Sequence, residues 1–193
     1  MNIVEFHLGV IMKKIVLLGD SIRLIGYGTK VPQMLGEGYE VFQPEDNCRW
    51  AKYTERMIFD YKDYIKDADV IHWNNGHWDT CNLFGEGSFT PVEQYVEDML
   101  RIAKKLLKIT PNVIFATTTT VKEAHENNVN SVTETYNAAI VPKLKELGIV
   151  INDLNSITKG KEDEYICEDN IHLSPAGIDA CAKQVCKMIK SFD

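Results

Sequence analysis

The triplet Gly19-Asp20-Ser21 follows directly on the aliphatic run Lys14-Ile15-Val16-Leu17-Leu18. A hydroxyl is a weak nucleophile until a neighbouring base takes its proton, and the base needs a third group to hold its ring. Far along the chain, Asp169-Asn170-Ile171-His172 supplies an imidazole and a carboxylate in one short loop. Together the two segments contain the set needed for serine acyl transfer. No Gly-x-Ser-x-Gly elbow occurs, so the α/β-hydrolase solution to this chemistry is set aside. Taken singly, each residue has a plainer reading. Ser21 and Asp20 suit a helix cap, Asp169 a loop carboxylate, and His172 a half-buried polar side chain. Their joint placement favours chemistry.

That placement depends on the elements between them. Residues 14–18, 39–42, 68–73, 112–117 and 149–153 are short, rich in β-branched or aromatic side chains, and bounded by turn signals, as strands are. Helical segments alternate with them. One opens at Thr90-Pro91, with Thr90 as cap and Pro91 at the first helical position, and carries Val92, Tyr95, Val96, Met99, Ala103, Leu106 and Leu107 at helical spacing. A second spans 131–147, kinked at Pro142 and stopped at Gly148. The last opens at Ser174-Pro175 and turns Ile178, Ala182, Val185 and Ile189 inward. This order predicts an α/β protein: a three-layer α/β/α sandwich with a five-stranded parallel sheet, flavodoxin-like in layout. Residues 1–193 read as a single domain, with 1–12 as an N-terminal extension. Residues 1–11 are open between an accessory strand, a tail and a misassigned start.

In such a sheet the loops after the strands share one edge, where ligands bind. Gly19-Asp20-Ser21, Asn47-Cys48-Arg49-Trp50, Asn74-Asn75-Gly76-His77-Trp78-Asp79 and the threonines 117–120 fall there, and the Asp169/His172 loop follows the fifth strand.

These blocks resemble the SGNH, or GDSL-type, hydrolase superfamily, from Lys13 to the last helix. The resemblance implies Ser21 as nucleophile, His172 as base and Asp169 as its orienter. The third block is similar to the Asn-x-Gly-His-Trp element of the polysaccharide O-acetyltransferase and esterase branch. It implies Asn74 as oxyanion donor beside the Ser21 N–H, with Asn75 in reserve. The second block lacks the usual glycine, and any non-proline N–H there can donate: Arg49, Trp50 or Ala51. Arg23 and Arg49 are candidates for a substrate carboxylate or phosphate. Trp50, His77 and Trp78 are candidates for lining the substrate pocket, Trp73 also. The expected activity is hydrolysis of a small, acetyl-like ester, on a carbohydrate or similar alcohol, without a cofactor. The alternatives are an acyltransferase of the same fold, a lipase- or thioesterase-type hydrolase, and a non-catalytic binding module on a decayed scaffold.

Composition sets the outer limits. With 193 residues, 45% hydrophobic and 25% charged, the chain can bury a sizeable core. A net charge of -7 opposes nonspecific binding to nucleic acid or anionic membranes. The first residues lack a cationic region and a small-residue cleavage site, so no signal peptide is expected. Five cysteines without a Cys-x-x-Cys pair suggest reduced thiols in a cytoplasm and no metal site. His72 and His77 are the only pair that invites a metal, and no carboxylate cluster completes a ligand set.

Overall fold

A computed structural model describes residues 12–193, and the readings for residues 1–11 lie outside them. Five strands, β1 (Lys13–Leu18), β2 (Tyr39–Phe42), β3 (Val70–Asn74), β4 (Val113–Ala116) and β5 (Val150–Asn152), form one all-parallel sheet in the order β2-β1-β3-β4-β5. Their ends differ by a residue or two from the sequence expectation, because pairing with a neighbour, not propensity, sets where a ladder stops.

Nine α-helices occur among the described residues: α1 (Val31–Leu35), α2 (Ala51–Asp60), α3 (Lys62–Ile65), α4 (His77–Thr80), α5 (Val92–Leu106), α6 (Asn130–Glu146), α7 (Leu154–Thr158), α8 (Glu162–Tyr165) and α9 (Pro175–Lys190). Side chains alternate across the sheet. Val16, Leu18, Ile71, Trp73, Val113 and Phe115 pack beneath α2, α5 and α6. Ile15, Leu17, Val70, Ile114 and Ala116 face α1, α7 and α9. Both faces are covered, which explains why the strands are nearly continuous apolar runs.

The helix starts differ in one instructive case. Ser174 caps α9, accepting from Gly177 N–H at 3.2 Å, with Pro175 next as expected. At α5, however, Pro91 is itself the extended cap residue and Thr90 lies outside the helix. Thr90 is held by tertiary bonds instead: its N–H donates to the Asp79 carbonyl, and its own carbonyl accepts from Tyr136. Pro142 sits inside α6, and Gly148 follows that helix with a φ of 81°.

Strand order reverses direction between β1 and β3, where the connections leave towards opposite faces and open a crevice at the strand C-termini. Leu18 pairs with Trp73 there. Gly19 therefore meets Asn74, and a Cβ on Gly19 would lie 2.0 Å from Asn74 Oδ1. Only glycine permits that approach.

Candidate active site

Beyond β1 the chain turns into a single wide π-type turn, Ile22–Gly26, closed by a bond from Tyr27 N–H to the Ile22 carbonyl. Asp20 does the capping. Its Oδ1 accepts from Ile22 N–H at 2.9 Å, and its carbonyl accepts from Arg23 and Leu24. The Ser21 hydroxyl makes no cap bond and lies 2.8 Å from His172 Nε2. His172 Nδ1 lies 2.7 Å from Asp169 Oδ2.

The Asp169 loop is built to keep that carboxylate ionised. Asn170 adopts a left-handed φ of 68°, which asparagine tolerates better than most residues. The turn brings the N–H groups of Ile171 (3.1 Å) and His172 (2.9 Å) onto Asp169 Oδ1. Burial alone would raise the Asp169 carboxyl. The His172 backbone and ring N–H groups, with Ile171 and the Cys167 thiol, outweigh it and hold the group well below the usual carboxylate range. An ionised Asp169 accepts, so the His172 ring proton sits on Nδ1 and Nε2 is left to accept from Ser21. The loop is tied down by Cys167 N–H, donating to the His172 carbonyl at 2.8 Å, and by a bridge between Ile166 and Leu173.

Next to this line, the N–H of Ser21 finds no acceptor among the described residues. Asn74 donates one amide hydrogen to Asp20 Oδ1 at 2.8 Å, and its second is unclaimed. Asn75 is a correction to the reserve reading. Both its amide hydrogens are spent inward, on the Arg49 carbonyl and Thr54 Oγ1, each at 2.8 Å, so it has no hydrogen for an oxyanion. In the second block, Arg49 takes the left-handed conformation that a glycine would adopt freely, with a φ of 49°. Its N–H is claimed by Asn47 Oδ1, and that of Ala51 by the Asp79 carboxylate. Trp50 N–H alone among the three is unclaimed among the described residues.

A cavity of about 230 Å³ opens beside Ser21 and His172, walled by His77, Trp78, Leu83 and His125 among others. His77 is buried, with Nε2 2.9 Å from Thr119 Oγ1. Burial, reinforced by nearby His125 and His172, pushes its imidazole down to about 3. His125 escaped the sequence reading, since it belongs to no motif and sits in the long loop between β4 and α6. Its Nδ1 accepts from Asn127 and Asn128 N–H, so its one ring hydrogen is on Nε2. Burial lowers its pKa too. Both of these imidazoles on the cavity wall are thus biased towards the neutral form.

Trp50 packs with Tyr53, Phe89 and Trp78 at ring-centre distances of 5.4, 5.6 and 6.5 Å. The Arg49 guanidinium lies over Tyr53 at 4.9 Å and Trp78 at 6.0 Å. Trp73 is fully buried in the core instead. Arg23 corrects its sequence reading as well. It is buried, and its guanidinium donates to the carbonyls of Pro44 (2.7 Å), Asp46 (2.8 Å) and Gly19 (3.0 Å). It braces the second block against the first and has no face for a substrate anion. No group of three or more metal-ligating side chains gathers among the described residues, and none of their helices is long and apolar enough to cross a membrane.

The chain matches no protein-family model and no curated protein. Solved structures are similar in backbone. An acetyl xylan esterase superposes with a TM-score of 0.73 at 19% identity, over 92% of this chain and 98% of that one. A lipase/acylhydrolase from Enterococcus faecalis gives 0.73 at 18%, over 93% and 96%. An acetylxylan esterase from Geobacillus stearothermophilus gives 0.75 at 15%, over 93% and 95%. With its five parallel strands and helices on both faces, the chain shares the three-layer α/β/α fold of these structures.

Proposed function

We propose that this protein is a serine ester hydrolase of the SGNH type, acting through an acyl-enzyme on small, acetyl-like esters of a carbohydrate or similar alcohol. The observation that carries the reading is the continuous hydrogen-bonded line from Asp169 through His172 to Ser21, opening on a cavity. Ser21 Oγ attacks the ester carbonyl while His172 Nε2 takes its proton. Asp169 holds the ring tautomer and stabilises the imidazolium that forms. The N–H of Ser21, the spare amide hydrogen of Asn74 and the N–H of Trp50 receive the oxyanion. His172 then returns the proton to the departing alcohol, and water repeats the sequence on the acyl-enzyme.

The substrate class rests on cavity size and on what the similar structures are. A space of about 230 Å³ lies below the range usual for drug-sized ligands and suits a short acyl group. Two of the similar structures are acetyl xylan esterases. All five cysteines are unpaired, which supports work in the reducing cytoplasm.

The test is treatment with a sulfonyl fluoride, followed by mass spectrometry of the protein and a burst assay with p-nitrophenyl acetate. A single label on Ser21 and a burst equal to the enzyme concentration are expected. A label elsewhere, or no turnover of any short ester, would falsify the proposal.

A further inference from the structure

Tyr27, His72 and Asn152 belong neither to the catalytic line nor to the cavity, yet they form a buried chain of contacts that ends on Asn74. Asn152 Nδ2, from β5, lies 3.0 Å from His72 Nε2 on β3. His72 Nδ1 lies 3.5 Å from the Tyr27 hydroxyl. Tyr27 donates to Asn74 Oδ1 at 2.8 Å, and Asn74 Nδ2 donates to Asp20 Oδ1 at 2.8 Å. Tyr27, His72, Asn152 and Asp20 have no exposed surface, and Asn74 has almost none.

The register makes this possible. His72 and Asn74 share one face of β3, and Ala116 of β4 pairs with both Asn74 and Asn152. Its methyl group leaves room for Asn152 to reach across β4 to His72.

The hydrogens of the chain all run one way. Burial pushes His72 down to about 3, so the ring is neutral and has a single N–H. Asn152 donates to Nε2, which places that N–H on Nδ1, pointing at the Tyr27 oxygen. The Tyr27 hydrogen is then committed to Asn74. This direction matters because an amide has a donor end and an acceptor end of nearly equal shape. Reversed, the amide nitrogen of Asn74 would leave Asp20, the neighbour of Ser21, and face Tyr27.

We propose that Tyr27, oriented by His72 and Asn152, is a positioning residue that fixes the Asn74 amide with its nitrogen towards Asp20 and the oxyanion. This rests on the esterase reading above for its catalytic consequence. Tyr27→Phe keeps the ring and its edge-on packing against His72 and removes only the hydrogen bond. In steady-state assays with p-nitrophenyl acetate, kcat should fall about tenfold, as for one lost hydrogen bond, with KM within about twofold. Side-chain NH₂ resonances of Asn74 should shift and exchange faster in the same variant. In the wild-type protein, ¹⁵N NMR should show His72 Nδ1 protonated and Nε2 bare at neutral pH. The opposite tautomer overturns the inference whether or not Tyr27→Phe folds, and so does a folded Tyr27→Phe with wild-type kcat. A wild-type protein with no esterase activity overturns the esterase reading instead, and the tautomer and amide resonances still decide the orientation of Asn74.

Discussion

Ser21 is free for chemistry because Asp20 performs the capping that a serine in its position usually does. The proposed nucleophile therefore contributes little to the fold. Ser21→Ala should abolish turnover with its melting temperature within a few degrees of wild type, and substantial residual activity would end the acyl-enzyme proposal. Asp169 is held ionised through the working pH range, so its carboxyl adds no second step to the acid side of the pH profile. The acid limb of log kcat/KM against pH should accordingly rise with unit slope. A slope of two would mean a second essential group titrates. The two asparagines separate cleanly by their bonding. Asn74→Ala should lower kcat by ~10²–10³ with little change in KM, because the lost interaction strengthens in the transition state. Asn75→Ala removes bonds that tie the end of β3 to the second block and to α2, and should appear first as lost thermal stability.

At the level of elements, two backbone features position these groups. The Asp169 loop depends on the left-handed Asn170, which folds the N–H groups of residues 171 and 172 back onto the carboxylate. A β-branched side chain resists that conformation, and Asn170→Val should cost about 1–2 kcal/mol together with most of the activity. Asn170→Gly should retain both, and equal behaviour of the two variants in melting and turnover assays would remove the turn from the argument. The second feature is Gly19, which lets the end of β1 approach Asn74. The arrangement of the second block was less legible in the sequence. It lacks a glycine, yet Arg49 adopts a glycine-like conformation with its N–H engaged by Asn47 Oδ1.

Over the whole molecule, four buried ionisable groups act in opposition on stability. Burial pushes Asp79 up to about 7 and also raises Asp20. The folded state therefore holds protons that the unfolded chain releases near pH 4, and this contribution is lost as pH rises towards 7. Burial pushes His72 and His77 down to about 3, so here the unfolded chain binds the protons. Their contribution is present above about pH 6.5 and lost as pH falls. Between about pH 4 and 6.5 the two effects oppose each other. Asp79→Asn removes a term of about 4 kcal/mol on the first side. Its melting temperature should then climb more steeply with pH across that interval than wild type. Parallel curves would show that Asp79 titrates normally in the folded protein.

The sequence by itself determined the layers, the parallel sheet and the sheet edge that carries the polar loops. Each of these follows from patterns repeated within a few residues: aliphatic runs, helical spacing, and turn residues at element ends. Gly19-Asp20-Ser21 and Asp169-Asn170-Ile171-His172 were legible for the same reason, since a short motif fixes local backbone geometry. The tertiary structure alone decided which way each polar side chain spends its hydrogens. Arg23 and Arg49 are both arginines in edge loops, yet one is sealed among carbonyls and the other lies over aromatic rings. Asn74 and Asn75 are neighbours at the end of β3, yet one reaches Asp20 and the other Thr54. His125 reached the cavity from a loop without periodicity. These outcomes depend on contacts between residues far apart in sequence, and a hydrogen bond is decided by the partner across the gap as much as by the residue that makes it.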